Sequence, residues 1–193
     1  MLGGGQAAAL IAITPNPLGR VPVELMARYA MPQNGFTRAD VRRSQAAIGI
    51  AVRPIRKIPI TLVAERLFKV GSLARNDFQF RAYGGTSRRV RGIDVSFFGE
   101  TGVLGKRPDY FAGAQIIAEK PLKLPGKVDL ALGLGAWGAM QHTDRTVDRL
   151  DIGPTLRISH PRSPVSLRVD YRAHVVGNAR PGSAVALTVS SNY

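Results

Sequence analysis

The chain has 193 residues, 45% of them hydrophobic, with no cysteine and a formal net charge of +14. The absence of thiols excludes disulfide frameworks, thiolate metal sites and cysteine nucleophiles. The longest apolar run, Ala7 to Ile13, falls well short of the roughly 18 residues a helical membrane span requires, whereas a transmembrane strand needs only about 9–11 residues of alternating character.

In chain order, Met1 to Gly5 carries no Lys or Arg, and the apolar stretch after it stops at Thr14-Pro15, so no secretory leader is legible. The expectation is that the true beginning lies upstream of Met1. From there the informative period is two. Val21, Val23, Leu25, Ala27 and Tyr29 oppose Glu24, Met26 and Arg28. The segment from Ile60 to Val70 alternates less cleanly, because Leu67 and Phe68 fall on opposite faces, and a bulge is expected there. Further along, Tyr110 to Ala118 opposes Phe111 to Glu119, and Val128 to Leu134 opposes Asp129 to Gly135. Leu150, Ile152, Leu156 and Ile158 oppose Asp151, Gly153, Thr155, Arg157 and Ser159. The clearest run starts at Val165: Val165, Leu167, Val169, Tyr171 and Ala173 share one face, and Ser166, Arg168, Asp170, Arg172 and His174 share the other. A helix would scatter these charges, whereas a strand separates them. About eleven strands are predicted, starting near residues 6, 20, 45, 60, 76, 91, 109, 127, 147, 165 and 183. Almost no helix is expected.

Turn signals of two kinds alternate between the runs. Tight, Pro- or Lys-rich turns are expected at 14–17, 54–57, 121–127 and 160–164; longer or more polar ones at 32–44, 99–108, 141–146 and 176–182. Short periplasmic turns and long outer loops would put Tyr193 in the periplasm and the first strand's start outside. An odd count then points to at least one further strand upstream.

Alternation also suits a soluble sandwich, so the distinction rests on other signals. The strands read as about ten residues long where soluble strands average five or six. Aromatic residues cluster near strand ends, at Tyr29, Phe78, Phe80, Tyr83, Phe97, Phe98, Tyr110 and Phe111, as interfacial girdles require. Tyr193 closes an alternating terminal segment, as in the assembly signal of outer-membrane proteins. The reading is an all-β, antiparallel, up-and-down transmembrane β-barrel over residues 1–193, with about ten to twelve strands, either whole or part of a larger barrel. A lipid-facing Arg or Lys would cost about 2–4 kcal/mol at the midplane. The charged faces are therefore assigned to the lumen, with Glu24, Arg28, Glu65, Lys69, Arg81, Arg157, Arg168, Asp170 and Arg172 as lumen-lining residues. These either pair into a ladder that fills the barrel or form a basic path for an anionic polymer. Arg42-Arg43 and Arg88-Arg89-Val90-Arg91 are expected to meet anionic lipid head groups.

Catalytic patterns are missing. His142, His160 and His174 sit in separate segments without carboxylate or metal-ligand spacing, and no nucleophile elbow or phosphate loop occurs. The glycine-rich run Gly133 to Gly138 continues a strand, so its glycines make room inside a crowded barrel. No enzyme activity and no cofactor are expected. A soluble basic β-protein binding nucleic acid is the competing class. It is disfavoured because the basic residues spread over many turns without interleaved stacking aromatics.

Ala64-Glu65-Arg66-Leu67-Phe68-Lys69-Val70-Gly71, followed by Ala74 to Tyr83 and preceded by Gly49 to Lys57, resembles the C-terminal barrel domain of the NfrA family, the bacteriophage adsorption protein A family. The likeness is strongest over residues 45–85. It implies an outer-membrane protein of a Gram-negative bacterium, in contact with lipid and lipopolysaccharide. It also implies a role in exopolysaccharide export, phage tail protein reception, and an inner-membrane glycosyltransferase-type partner. Family members usually carry periplasmic helical repeats before the barrel, and no such repeats occur here.

Overall fold

A computed structural model describes residues 5–16, 19, 21–33, 42, 44–55, 57–72, 74, 76–105, 109–122, 128–179 and 182–191, and the side chains of all these except 5–10, 31–33 and 191. Among the described residues Arg42 alone is helical, and eleven strands form: β1 (Gly5–Ile13), β2 (Val23–Gln33), β3 (Gln45–Val52), β4 (Ile60–Lys69), β5 (Asp77–Val90), β6 (Ile93–Leu104), β7 (Asp109–Leu122), β8 (Asp129–His142), β9 (Thr146–Ser159), β10 (Val165–Gly177) and β11 (Ala184–Ser191). They make one sheet whose spatial order is the chain order, and each strand pairs antiparallel with the next. The protein is thus all-β, antiparallel and up-and-down. β1 and β11 are the two edges of the sheet, and among the described residues no ladder joins them.

The sheet is strongly curved. Arg168 on β10 reaches Glu119 on β7 at 3.2 Å, and Arg157 on β9 lies 3.9 Å from Asp94 on β6. Strands three places apart in a flat sheet are separated by about 14 Å, so these side chains converge because the sheet folds inward. Glycine allows the close approach. A Cβ at Gly153 would overlap the carbonyl oxygen of Tyr171 on the next strand, and one at Gly133 would overlap that of Ala118. Neighbouring backbones can crowd together at such points only where no side chain intervenes, and this is how curved sheets turn corners.

The strand starts agree closely with the periodicity, but two local expectations do not hold. β4 carries no bulge: its register with β3 and with β5 is unbroken, and Leu67 packs inward, 1% exposed, while Phe68 points outward. The register shift lies instead between His174 and Val176 on β10, where it leaves the consecutive residues Val175 and Val176 both exposed. The contrast between tight and long turns also disappears. β6 runs on to Leu104 through the segment read as a loop, the β8–β9 connection shrinks to 143–145, and β10 continues to Gly177. Short and long connections therefore occur at both ends of the sheet. The shortest is 91–92, a two-residue hairpin turn with Arg91 at φ 50° and Gly92 at φ 83°, so the basic run 88–91 belongs to a hairpin tip.

The glycine argument predicts that Gly153→Ala lowers stability by about 1–3 kcal/mol, the usual penalty for overpacking. Gly138→Ala, where an added Cβ meets only Leu150 Cδ1 at 3.9 Å, should be near neutral. Denaturant midpoints of the two variants measure the difference.

Candidate functional site

Burial follows register parity and divides the sheet into two chemically opposite faces. Among the described residues, the hydrophobic side chains buried on folding are few and mostly small, such as Ala47, Ala51 and Ala131. The outward positions carry large exposed hydrophobics: Ile48 and Ile50 on β3, Phe78 and Phe80 on β5, Leu132 and Leu134 on β8, and Val185, Leu187 and Val189 on β11. Four outward strand positions carry a charge, Arg66, Arg88, Lys120 and Asp148, and each lies within three residues of a strand end. Between them runs an uncharged band that is apolar apart from Thr86 and Thr101.

The inner face holds the ionisable groups. Glu65, Glu119, Asp151 and Asp170 are buried, between 1% and 4% exposed. Each has cationic or hydroxyl company supplied by other strands or by its own. Glu65 accepts hydrogen bonds from Arg28 at 3.0 and 3.3 Å and lies 3.5 Å from Arg81 Nη2. Beside it Met26, Ala51 and Val63 pack together against Tyr83, and the Arg81 guanidinium sits 5.3 Å from the Tyr83 ring centre. Glu119 accepts from Arg157 Nε at 2.8 Å and faces Arg168 Nε at 3.2 Å. Asp151 accepts from Arg149 Nε at 2.6 Å, with His174 Nδ1 at 3.4 Å. The Thr155 hydroxyl donates to Asp170 at 2.6 Å, and Arg172, whose guanidinium lies 4.6 Å from the Trp137 ring centre, approaches Asp170 at 3.5 Å.

A recurring sequence device sets glycine directly across the ladder from two of these carboxylates, Gly49 from Glu65 and Gly133 from Glu119, and sets Gly113 opposite Glu100 as well. A Cβ at Gly49 would meet Glu65 Cγ at 2.7 Å. The vacant position opposite lets the acidic stem lie along the sheet toward its arginines, which fits the expectation that glycine relieves crowding inside.

Of the predicted lumen residues, Glu65 and Arg81 come together in one cluster, Arg157 and Arg168 meet at Glu119, and Asp170 and Arg172 pair beside Thr155. Glu24 and Arg28 also face inward. Lys69 stands at the exposed end of β4, where its backbone N–H donates to Asn76 Oδ1 at 2.7 Å, and it lies away from these clusters. Glu119, Asp151 and Arg149 were missed as partners, although the alternation placed Glu119 and Asp151 on the polar side. His174 has no carboxylate at catalytic spacing in the sequence, and the fold brings it to Asp151 from 23 residues away. Among the described residues no group of three or more His, Cys, Asp or Glu could hold a metal ion. The aromatic girdle is also corrected: Tyr83, Phe98 and Phe111 occupy inward register positions, while Tyr29, Phe78 and Tyr110 face out near one end of the strands.

Of the two alternatives for the inner face, the charge balance favours the paired ladder over the basic path. Of the 13 acidic residues, all but Asp40, Asp144 and Asp148 fall on inward strand positions; Asp40 lies outside the described residues. Of the 27 Lys and Arg, about eight do so, so the inner positions carry no positive excess. The net +14 comes from the connections and strand ends. Comparison with family models, curated proteins and solved structures found no match.

Removing the negative centre of a buried cluster strands its arginines, and breaking buried pairs typically costs about 3–5 kcal/mol. Glu119→Gln should therefore destabilise by about 3 kcal/mol. Asp94→Asn, whose side chain is 36% exposed, should cost under about 1 kcal/mol. Parallel unfolding titrations check the ranking.

Proposed function

We propose that this chain forms the wall of a β-barrel in the outer membrane of a Gram-negative bacterium. The observation that carries the reading is the inverted polarity of the sheet. Its outward face is a band of Ile, Leu, Val and Phe free of charge between the strand ends, and its inward face is where the carboxylates are buried. In water such a band would be a large apolar patch and an aggregation site. Facing lipid, it gains the transfer free energy that soluble proteins obtain from a core. Strands of 12 to 14 residues, as in β5 to β9, exceed the roughly 9–11 residues a tilted strand needs to cross the hydrocarbon layer.

Within that reading, the resemblance to the NfrA family supplies the role we propose: exopolysaccharide export, with phage adsorption at the exposed connections and lipopolysaccharide as the surrounding contact. The basic connections favour attraction of an acidic polymer at the mouths of the barrel. The compensated inner face favours passage without strong charge selection. A structural barrel without conductance is the second reading, supported by the dense pairing around Glu119 and Asp170.

Two measurements test the proposal. The protein should fractionate with outer membranes and migrate differently on a gel before and after heating; a compact monomer in detergent-free buffer would overturn the reading. Leu134→Arg, in the middle of the outward band at a residue 64% exposed, should cost about 2–4 kcal/mol and cut the folded fraction, whereas Thr143→Arg in a connection should be neutral. If the barrel conducts, its reversal potential in a salt gradient should lie near zero, and a strong anion preference would contradict the compensated inner face.

A further inference from the structure

The outward face is not uniformly smooth. Across β1 to β5 it is hollowed into a groove of about 690 Å³. Its floor is formed by the small residues Ala27 and Ala64, and large apolar side chains such as Ile11, Leu25, Ile50 and Phe80 wall it. The register explains the hollow. Ala27 pairs with Ile48 and Ala64 with Ile50 on opposite sides of β3, so small and large residues alternate across the strands instead of packing level. Near one end sits Arg66, with its guanidinium 4.2 Å from the ring centre of Phe78.

We propose that this groove seats the acyl chains of a phosphate-bearing lipid, with Arg66 as the partner of the headgroup phosphate. The proposal rests on the membrane reading above and adds a specific lipid site to it. The charge pattern selects the occupant. Arg66 lies three residues before the end of β4, at the depth where a strand leaves the hydrocarbon layer, and the outward positions of β1 to β5 contain no Asp or Glu. A second copy docking on this face by two-fold symmetry would set arginine near arginine with no carboxylate to compensate. A lipid offers the required combination of extended apolar chains and one anionic group at their end. Stacking on Phe78 holds the planar guanidinium in place, and a phosphate is its natural bidentate acceptor.

The test uses the full chain folded in maltoside micelles and titrated with dimyristoyl phosphatidylglycerol, with bound lipid counted by native mass spectrometry. One lipid per chain is expected. Arg66→Gln should weaken binding about tenfold, the loss of one charge-assisted interaction, and Ala64→Phe, which fills the floor, should weaken it comparably. Arg88→Gln, at the far end of the next strand, should bind as the wild type does. Dimyristoylglycerol, which lacks the phosphate, and inorganic phosphate, which lacks the chains, should each fail to compete. Unchanged binding by Arg66→Gln, or equal competition by dimyristoylglycerol, would overturn the lipid site. A protein that is soluble without detergent would sink the membrane reading instead. The lipid site is then read separately, in buffer with dihexanoyl phosphatidylglycerol, where the same loss in Arg66→Gln is expected and its absence rejects the site.

Discussion

Taking a carboxylate out of water costs several kcal/mol unless an opposite charge and hydrogen bonds accompany it, and this constraint organises the interior of the sheet. Glu65, Glu119, Asp151 and Asp170 are each met by a cation, and for Glu65 and Glu119 that cation comes from a strand two or three places away. Curvature brings such distant strands' side chains within easy reach, most of all for Arg168 and Glu119, which lie three strands apart. Curvature, the glycines that permit it and the ion pairs that span it are therefore mutually dependent. Straightening the sheet would part Arg168 from Glu119, and removing Glu119 would leave Arg157 with only the more distant Asp94 and Arg168 without that carboxylate.

The same constraint assigns work to the two faces. In a soluble domain a compact apolar core supplies most of the stabilisation. Here the only buried cluster of apolar residues among those described is small, Met26, Ala51 and Val63 with Tyr83 against it. The larger apolar resource lies outside, and a surrounding hydrocarbon phase would be what makes it favourable. The positive excess of the chain sits beyond both faces, at the strand ends and connections, where it does not disturb the balance within.

The strands were legible because alternation is local: a reader needs only five to eight consecutive residues to see Val165, Leu167 and Val169 separate from Arg168 and Asp170. What the residues on one strand cannot reveal is which distant strand their charges meet. Arg168 was recognisable as inward, but its partner Glu119 depends on how tightly the sheet curls over three strands. Turn lengths failed for a related reason. Gly99 to Leu104 looks like a loop by composition, yet it is paired on both sides, and ladder hydrogen bonds outweigh the poor strand propensity of its glycines. Nearness to strand ends suggests a girdle for Tyr83, Phe98 and Phe111, but parity puts them inside. The parity rule carried more information than the compositional one.

The consecutive order of the strands has one further geometric consequence. Successive strands reverse direction, so the first and the eleventh share a heading. If those two margins met directly, the seam would be parallel, with slanted hydrogen bonds and slightly weaker pairing per residue than at any of the ten junctions already formed. A single additional ribbon between them, whatever its origin, would reverse the heading once more and leave the circumference antiparallel throughout.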